Sequence, residues 1–420
     1  MKILFIIPGS GDSFYCGNCF RDNLLASALR KAGHEVVVMP LYLPLTHKTF
    51  QADTPLFFPA TTYYVAQKFF GNRKMPKWLQ HITSSDPLLN IASSLSGTTS
   101  AEGMEDMTLS MITGNDPTFD EHVQHLIHWI KEHEQFDLIH LSTTLLLGIA
   151  KEIKRQLTLP IVCSMQDEEV WIDSLNTQGA TVAWQGIKDN LQYIDRFMTT
   201  SHFYRNKIHR QIPEIENLQV IYPGIDKEKY ASDSYPADPT IGFFYRMNRL
   251  NGLDILAEAF VKLKKKDVIK NLKLKIGGGY AGEDKRFMKK IRQILAPYSR
   301  DVEINNSYTL DNHADFYKEI TVISVPITFD ESIGLYLCEA FAAGRPAVEP
   351  ATGSFPEIVA DAGILYEPNN SESLADALER LLLDKALLDR SKENARRLSN
   401  TRYNNITSAA ELIQVYEQIL

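Results

Sequence analysis

Cysteine, positive charge and long apolar runs are all scarce in this sequence, and each shortage excludes a class of protein. Four cysteines in 420 residues cannot form a disulfide framework, which predicts a reducing compartment and a cytoplasmic location. The formal net charge of −8 argues against nucleic-acid binding through bulk positive charge. No apolar stretch is long enough to span a bilayer, and the one after Met1 is too short for a signal peptide. A globular protein with room for two domains remains.

Familiar nucleotide and metal motifs are missing as well. The loop after the first apolar strand lacks both the G-x-G-x-x-G spacing of dinucleotide-binding proteins and the Walker pattern. Cys16 and Cys19 form a single C-x-x-C pair at a helix start, where a helix end lowers the pKa of a thiol. A zinc site would need two further ligands, and no second C-x-x-C exists, so no metal is predicted. We interpret the thiols of Cys16 and Cys19 as structural. A thioredoxin-like redox pair is the alternative that stays open.

Short apolar runs alternate with amphipathic helical segments. Lys2–Ile7 and Glu35–Met39 have the continuous apolar character of buried parallel strands, and residues 20–31 between them carry a helical apolar stripe. The same order of strand, loop and helix begins again at Ile241–Phe244. This pattern predicts the α/β class, with doubly wound domains.

The most informative stretch runs from Pro326 to Pro346. It is predicted to leave a strand end, to turn through polar residues, and to form an apolar, buried helix from Ile333 until Gly344 stops it. Glu339 lies in the middle of this helix, where a carboxylate is costly unless hydrogen-bond donors reach it. The donor is predicted to be either an arginine or lysine in a buried salt bridge, or a hydroxyl group of a ligand.

The two glutamates of this stretch carry a family resemblance. The segment E-S-I-G-L-Y-L-C-E-A-F-A-A-G-R-P, in which seven residues separate Glu331 from Glu339, resembles the donor-site signature of the family 4 retaining glycosyltransferases. The resemblance implies the GT-B fold, in which two facing Rossmann-like domains enclose a cleft. It also implies that Glu331 holds the donor sugar, that Glu339 binds the nucleotide ribose, and that the amides between them meet the diphosphate. A helix N-terminus suits such an anion because its N–H groups are unpaired.

Other donor-side positions follow from the same resemblance. The segment Y-R-M-N-R-L-N-G resembles the family's G-R-x-x-x-x-K-G, whose Arg and Lys neutralise the departing diphosphate. Arg246 matches the Arg, whereas Asn251 stands at the Lys position, and Arg249 is the candidate to replace that missing charge. Gly17 and Gly278 are predicted to let backbone approach the ligand closely, because glycine has no Cβ. The predicted donor-binding set is Gly17, Arg246, Arg249, Asn251, Gly278, Glu331, Ser332, Ile333, Gly334, Leu335 and Glu339.

The acceptor side matches less well. The segment F-D-L-I-H-L-S resembles the family's D-x-x-H-x-H, so His140 takes the first histidine position and Ser142 the second. Gln166 stands where a strand of many members ends in His-Asp. The predicted acceptor-binding residues are therefore His140, Ser142 and Gln166. The predicted catalytic residues are Glu331, Arg246 and His140.

The resemblance also suggests domain boundaries. An N-terminal acceptor-binding domain is predicted over residues 1–222, with an irregular insertion at 45–120, and a linker at 223–240. The nucleotide-sugar-binding domain follows at 241–402, and the final helix, 403–420, is predicted to cross back to the first domain. Residues 67–78 mix cations with aromatics, so this segment is interpreted as a solvated loop around the acceptor cleft, with peripheral membrane contact as the alternative.

The predicted function is transfer of a sugar from a nucleotide-diphosphate sugar to a hydroxyl acceptor with retention of configuration. No metal or other cofactor is expected, and the partners are the nucleotide sugar and an unnamed acceptor, with no nucleic acid. Two alternatives stay open. One is a GT-B nucleotide-sugar epimerase or hydrolase. The other is a non-catalytic donor-binding scaffold, suggested by Ser142, Gln166 and Asn251 at positions where the family carries other residues.

Overall fold

The structure is a computed structural model of the 420-residue chain. It describes residues 1–9, 17–41, 53–54, 57, 105–115, 117–133, 135–232, 234–280, 282–309 and 311–420. Cys16 and residues 67–78 therefore lie outside the described residues, as does the side chain of Cys19. The redox and membrane interpretations made for them stay predictions.

The chain folds into two compact units. The first contains residues 1–200, 205–221 and 409–420, and the second contains 201–204 and 222–408. The residues predicted as a linker, 223–240, are thus part of the second unit. The C-terminal residues 409–420 are part of the first.

The described residues contain twelve strands and sixteen α-helices. The strands are β1 Lys2–Ile7, β2 Glu35–Pro40, β3 Leu138–Leu141, β4 Ile161–Met165, β5 Arg196–Thr199, β6 Leu218–Val220, β7 Thr240–Phe244, β8 Lys273–Gly277, β9 Val302–Asn305, β10 Val322–Ile323, β11 Ala347–Pro350 and β12 Gly363–Tyr366. The helices are α1 Gly17–Lys31, α2 Glu105–Thr113, α3 Pro117–Glu132, α4 Ala150–Gln156, α5 Glu168–Ile172, α6 Thr177–Asn190, α7 His202–Gln211, α8 Lys227–Tyr230, α9 Leu253–Lys266, α10 Lys285–Leu295, α11 Ala314–Lys318, α12 Leu335–Ala342, α13 Phe355–Val359, α14 Ser371–Leu383, α15 Lys385–Thr401 and α16 Asn405–Glu417.

Each unit contains one parallel six-stranded sheet. The strand order is β2-β1-β3-β4-β5-β6 in the first and β12-β11-β10-β7-β8-β9 in the second. All of the strand pairs are parallel. Parallel strands with helices on their faces are buried on both sides, which explains why β1 and β7 are apolar along nearly their whole length. The predicted α/β class with doubly wound domains is confirmed.

The C-terminal helix contributes to the core of the first unit. Leu412, Val415 and Tyr416 are buried in one cluster with β1 residues such as Phe5. Burying apolar side chains of this size stabilises a fold by roughly 1.5–3 kcal/mol each. The last residues of the chain therefore help to hold together the unit that the first residues begin.

One part of the predicted irregular insertion proves to be regular. Residues 105–113 form α2, whereas the segment 45–120 is predicted to be irregular. This helix packs closely on two glycines. A Cβ at Gly148 would lie 2.6 Å from the carbonyl oxygen of Met111, and one at Gly186 would lie 2.8 Å from Cγ2 of Thr113. Its pattern was missed because α2 is short and its burial depends on partners distant in sequence.

Within the described part of the chain, no helix has the combination of length and apolar character that crossing a membrane requires.

Candidate functional site

The second sheet has a topological switch point between β7 and β10. From β7 the chain adds β8 and β9 on one side, and then returns to place β10 on the other side. In open α/β sheets of this kind, ligands bind outside the carboxyl ends of the strands where the order reverses. The segments that follow β7 and β10 contain Arg246 and Glu331, so both residues come from loops that flank the switch point.

The loop after β7 packs directly on the loop after β10. The backbone N–H and the side-chain hydroxyl of Thr328 both donate to the carbonyl of Leu250, each over 2.9 Å. Gly252 has a φ of +68°, and a Cβ at this position would lie 1.8 Å from the carbonyl oxygen of Pro326. Only glycine fits both this backbone conformation and this close approach. The two loops are therefore held in one fixed arrangement.

Two further loops join them. Gly278, after β8, has a φ of +123°, and a Cβ there would lie 2.0 Å from the carbonyl oxygen of Tyr245. The amide of Met247 donates to the carbonyl of Gly279 over 2.7 Å. After β11, the amide of Ser354 donates to the carbonyl of Glu331 over 2.9 Å. The carboxyl ends of four neighbouring strands thus bring together residues that are about a hundred positions apart in sequence.

Glu331 is buried at the start of this arrangement. One carboxylate oxygen, Oε1, accepts a hydrogen bond from the amide of Gly334 over 3.3 Å. Gly334 has a left-handed conformation, with a φ of +65°, and α12 begins at the next residue, Leu335. The helix therefore starts two residues after the predicted Ile333, because Gly334 is not helical. Ser332 and Ile333 are buried in the turn between Glu331 and the helix.

Arg246 is paired with carboxylates of its own chain. Its Nη2 lies 2.6 Å from Oε1 of Glu283 and 3.1 Å from Oδ2 of Asp284, both in the segment after Gly278. Such charge-assisted pairs fix the orientation of the guanidinium. An anionic ligand at this site would compete with both carboxylates for Arg246. Sequence reasoning missed Glu283 and Asp284, although both follow Gly278 closely in the sequence.

Asn251 and Arg249 differ in their surroundings. The side-chain amide of Asn251 donates to the carbonyl of Arg246 over 2.8 Å, and its backbone amide donates to Oδ1 of Asn248 over 2.9 Å. Asn251 therefore closes the loop on itself. The side chain of Arg249 is 85% exposed, with Nε 4.0 Å from Oδ2 of Asp254. An exposed pair at this distance contributes little, so the guanidinium is available to turn elsewhere. The role predicted for Arg249 stays a prediction.

Within the fold, the carboxylate of Glu339 is held by two tyrosines and a histidine, not by an arginine or lysine. The hydroxyl of Tyr230 donates to Oε1 over 2.7 Å, and that of Tyr317 donates to Oε2 over 2.5 Å. The Nε2 atom of His313 lies 3.0 Å from Oε1. Burial raises the pKa of the Glu339 carboxyl, but the charge of His313 and these hydrogen bonds outweigh it, so the pKa is lowered overall. The expected arginine or lysine is replaced by a histidine and two tyrosines, and ribose binding by Glu339 stays a prediction.

Tyr317→Phe should weaken the second unit. The change removes one donor from a buried carboxylate, and hydrogen bonds to charged groups are worth about 1.5–3 kcal/mol, so we expect a loss of that size in the free energy of unfolding at pH 7. Because the pKa of Glu339 is lowered, its stabilising contribution is present above the unfolded pKa of 4.5 and is lost as the pH falls below it. Urea titrations at pH 7 and pH 3.5 would show the loss shrinking at the lower pH. Tyr298→Phe, at a partly buried ring, is the matched control, and an equal loss in both variants would contradict this account.

On the first unit, His140 lies in the core at β3. It is fully buried, with Nδ1 2.6 Å from the hydroxyl of Tyr416 and Nε2 2.8 Å from Oγ of Ser164. Burial, aided by the charge of Arg21, keeps the pKa of His140 well below its usual value. Both ring nitrogens are satisfied within the fold, which favours a structural role. Its catalytic and acceptor-binding roles stay predictions.

The neutral state of His140 predicts acid sensitivity. Its folded pKa is depressed, so stability is fully present above the unfolded pKa of 6.5 and declines as the pH falls below it, by at most about 1.4 kcal/mol per pH unit. We expect His140→Gln, which cannot be protonated, to lose less stability than the parent between pH 7 and pH 5 in thermal unfolding. His128→Gln removes an exposed histidine and should follow the parent. If the His140→Gln and His128→Gln curves coincide, the assignment is wrong.

Ser142 and Gln166 lie at the carboxyl ends of β3 and β4, and both are buried. The backbone amide of Gln166 donates to Oε2 of Glu168 over 2.6 Å, while Oε1 of Glu168 accepts from the hydroxyl of Thr143 over 3.0 Å. Glu168 thus links the ends of the two strands, a role that sequence reasoning missed. Gly17 is the first residue of α1.

Comparison with protein families now identifies the chain. Residues 225–398 match the family model described as Glycosyl transferases group 1, and residues 115–229 match that of Glycosyltransferase Family 4. The two matches together cover residues 115–398, so the chain is similar to the family 4 glycosyltransferases over most of its length. The predicted family is confirmed. The match to the group 1 model contains all four loops of the second unit, and Arg246, Gly278, Glu331 and Glu339 all lie within the matched residues.

Curated relatives are about a quarter identical to this chain over the regions that align. A D-inositol 3-phosphate glycosyltransferase of Corynebacterium aurimucosum is 25% identical over 269 residues, which cover 58% of this chain and 63% of that protein. Another protein of the same name, from Nocardiopsis dassonvillei, is 29% identical over 182 residues, or 42% of each chain. The matched region thus spans less than two thirds of the length of these relatives.

Solved structures show the fold of this chain. Sucrose-phosphate synthase from Thermosynechococcus elongatus has a TM-score of 0.70 at 17% identity and covers 100% of this chain and 99% of its own. HepE from Anabaena, solved in complex with UDP, has a TM-score of 0.66 at 15% identity and covers both chains completely. These neighbours are GT-B glycosyltransferases, so the predicted fold class is confirmed.

Proposed function

We propose that the protein transfers a sugar from a nucleotide-diphosphate sugar to a hydroxyl group, with retention of configuration and without a metal or other cofactor. The observation that supports this most strongly is the meeting of four loops at the switch point of the second sheet, with Arg246, Gly278, Glu331 and the start of α12 together. A cationic side chain, a close-approach glycine and a helix N-terminus suit a diphosphate. A buried carboxylate beside them suits the hydroxyl groups of a sugar.

In the proposed reaction, the bond between the anomeric carbon and the diphosphate oxygen breaks, and the diphosphate leaves with the electron pair. The acceptor oxygen forms its new bond on the same face of the sugar, and its proton passes to the departing diphosphate. Arg246 and the amides at the start of α12 stabilise the charge that develops on the leaving group. Glu331 orients the sugar by accepting hydrogen bonds from its hydroxyl groups, which places the reacting atoms for attack.

Substrates for a first test come from the relatives. HepE of Anabaena was solved with UDP and with UDP-glucose, so uridine diphosphate sugars come first among the donors. The curated relatives are named D-inositol 3-phosphate glycosyltransferases, so an inositol phosphate is the first acceptor to try. We place the reaction in the cytoplasm, where nucleotide sugars and reduced cysteines occur together.

Calorimetric titration with UDP-, GDP- and ADP-sugars tests the donor site. We expect one nucleotide to bind the parent protein with a micromolar dissociation constant, about −8 kcal/mol. Gly278→Ala should abolish binding, because the added Cβ would press on the carbonyl of Tyr245. Gly282→Ala in the same segment is the matched control, since a Cβ there meets nothing within 4 Å. These variants test the site better than Glu339→Ala, which would leave two tyrosines and a histidine without their acceptor.

The outcomes separate the alternatives. Binding that leads to a glycosylated acceptor supports the transferase. Turnover of donor with no acceptor present would favour an epimerase or hydrolase, and donor binding without any turnover would favour a scaffold. If the folded parent protein binds no nucleotide sugar, the proposed donor site is wrong.

A further inference from the structure

Strand β11 carries a carboxyl group that the proposed reaction does not use. Glu349 is completely buried. Its strand, β11, is an inner strand of the second sheet, with β10 on one side and β12 on the other. The backbone amide of Val325 donates to both of its oxygens, over 3.1 Å to Oε1 and 3.3 Å to Oε2. A single amide is weak compensation for a buried charge. The position therefore calls for a specific reason to keep an acidic residue.

Val325 belongs to the segment that carries Glu331. We call residues 324–334, which connect β10 to α12, the Glu331 loop. Glu349 holds this loop near its beginning, through Val325, and the turn after β11 holds it near its end. There, the amide of Ser354 donates to the carbonyl of Glu331, and a Cβ at Gly353 would lie 2.7 Å from the same carbonyl oxygen. The loop thus rests on β11 and the turn that follows it.

Two tyrosine hydroxyls lie beside the carboxyl of Glu349. Tyr336 comes from α12 and Tyr366 from β12, and both are close enough to Glu349 to interact with it electrostatically. Neither hydroxyl has a hydrogen-bond partner of good geometry among the described residues. A protonated carboxyl has one O–H to donate, and each of these hydroxyls can accept it. The ring of Tyr336 also packs beside Gly334, since a Cβ there would lie 3.1 Å from Cε1 of Tyr336.

We propose that Glu349 is a positioning residue whose buried, protonated carboxyl fixes the Glu331 loop in the shape that presents Glu331 to the donor sugar. It accepts from Val325 at one end of the loop and donates towards the tyrosine that packs against the other end. The inference rests on the proposed function for the part that concerns the sugar. The support that Glu349 gives to the loop does not depend on it.

The protonation state follows from the surroundings. Burial raises the pKa of Glu349 well above 4.5, and the negative charge of Glu331 raises it further, while the amide of Val325 and the nearby Tyr336 hydroxyl oppose the rise in part. The titratable groups that act on it are Glu331 in the loop, Tyr336 on α12 and Tyr366 on β12. With the folded pKa raised, the stabilising effect of the protonated form is complete below pH 4.5 and is lost progressively as the pH rises above it.

Amide hydrogen exchange in the folded protein tests the support directly. We expect Glu349→Leu, of similar size but unable to accept a hydrogen bond, to speed exchange at Val325 and Gly334 by at least about tenfold, the factor that corresponds to 1.4 kcal/mol. Glu349→Gln can still accept from Val325 and donate to tyrosine, so its exchange should match the parent. Unchanged exchange in the Leu variant would overturn the proposal. If that variant does not fold, Glu349→Asp, whose shorter side chain cannot reach Val325, takes its place with the same expectation.

Thermal unfolding as a function of pH tests whether the carboxyl of Glu349 is protonated in the folded protein. We expect Glu349→Gln to melt at a higher temperature than the parent above pH 4.5, with a difference that grows as the pH rises. The reason is that the amide needs no proton to stay neutral. A difference that is the same at all pH values, or absent, would show that Glu349 is not held protonated.

Steady-state kinetics test whether Glu349 helps to position Glu331 for the donor sugar. Misplacing a reacting group by about 1 Å costs about 10²-fold in rate, so Glu349→Leu should lower kcat by about that factor. Its affinity for UDP should fall much less than kcat, because Arg246 and Gly278, two of the proposed diphosphate contacts, belong to other loops. Glu349→Gln should keep both values. A loss of UDP affinity equal to the loss in kcat would mean a general structural role. If the parent protein shows no turnover, the proposed function fails, while the exchange and melting results still decide the role of Glu349.

Discussion

Replacing Glu331 by glutamine is expected to lower kcat by about 10²–10³-fold, comparable to the loss of one group that stabilises a transition state. The carboxylate accepts strong hydrogen bonds from sugar hydroxyls, and an amide of the same shape accepts weaker ones. Glutamine keeps an oxygen that can accept from the amide of Gly334, so the turn before α12 should persist. The measurement is steady-state transfer with the donor found by calorimetry, together with the Kd of the free nucleotide.

Asp330→Asn provides the matched control for Glu331. Asp330 is the adjacent acidic residue, it is exposed, and Thr352 donates to it over 2.5 Å. Because an amide oxygen can also accept from Thr352, this variant should keep kcat within a few-fold of the parent. The scaffold alternative makes the opposite prediction for Glu331. A Glu331→Gln variant that remains fully active would remove this residue from the reaction.

Replacing Arg246 by glutamine should have an effect at least as large. The change removes the cation proposed to stabilise the leaving diphosphate, so we expect kcat to fall by about 10³-fold. We also expect the affinity for the nucleotide to fall by about 1.5–3 kcal/mol, the value of a charge-assisted hydrogen bond. Glu283 and Asp284 lose their partner at the same time and would then repel the diphosphate. Transfer kinetics and calorimetry at two salt concentrations would measure these effects, since salt screens the repulsion.

A second substitution separates the two contributions of Arg246. In the double variant Arg246→Gln with Glu283→Gln, one of the repelling carboxylates is removed. Part of the lost affinity should return, whereas kcat should stay low. Arg249→Gln is the companion test, because Arg249 is the exposed cation predicted to replace the missing lysine at Asn251. If Arg249→Gln binds and transfers like the parent, Arg249 does not have that role.

The sequence alone was sufficient for the class of fold and for the family. Alternating apolar strands and striped helices predict doubly wound domains, because burial on both faces of a parallel sheet requires that pattern. The spacing of Glu331 and Glu339, with Arg246 and Gly278 before them, was sufficient to identify the donor-site motif. Local signals also predicted the stop of α12 at Gly344, although they placed its start two residues early, because the left-handed turn at Gly334 has no distinct sequence signal.

The sequence did not predict the hydrogen-bond partners of the buried polar side chains. Glu339 is paired with Tyr230, His313 and Tyr317, which come from two other helices and a turn, and no spacing along the chain connects them. His140 matches a histidine position of the family motif, and the fold places it between Tyr416 and Ser164, neither of which the sequence indicated. In both cases the residue type showed that a polar group needed a partner.

Glu349 shows most clearly which features the sequence determines and which only the tertiary structure decides. In the sequence it is one acidic residue in a short apolar strand, with no motif around it. The fold gives it a role, because β11 lies beside β10 and so places this carboxyl under the loop that carries Glu331. Sequence determines which residues are available and which segments become strands and helices, since these depend on neighbours in the chain. Which groups meet is decided by the tertiary structure, because hydrogen bonds and burial depend on distances that only the folded chain defines.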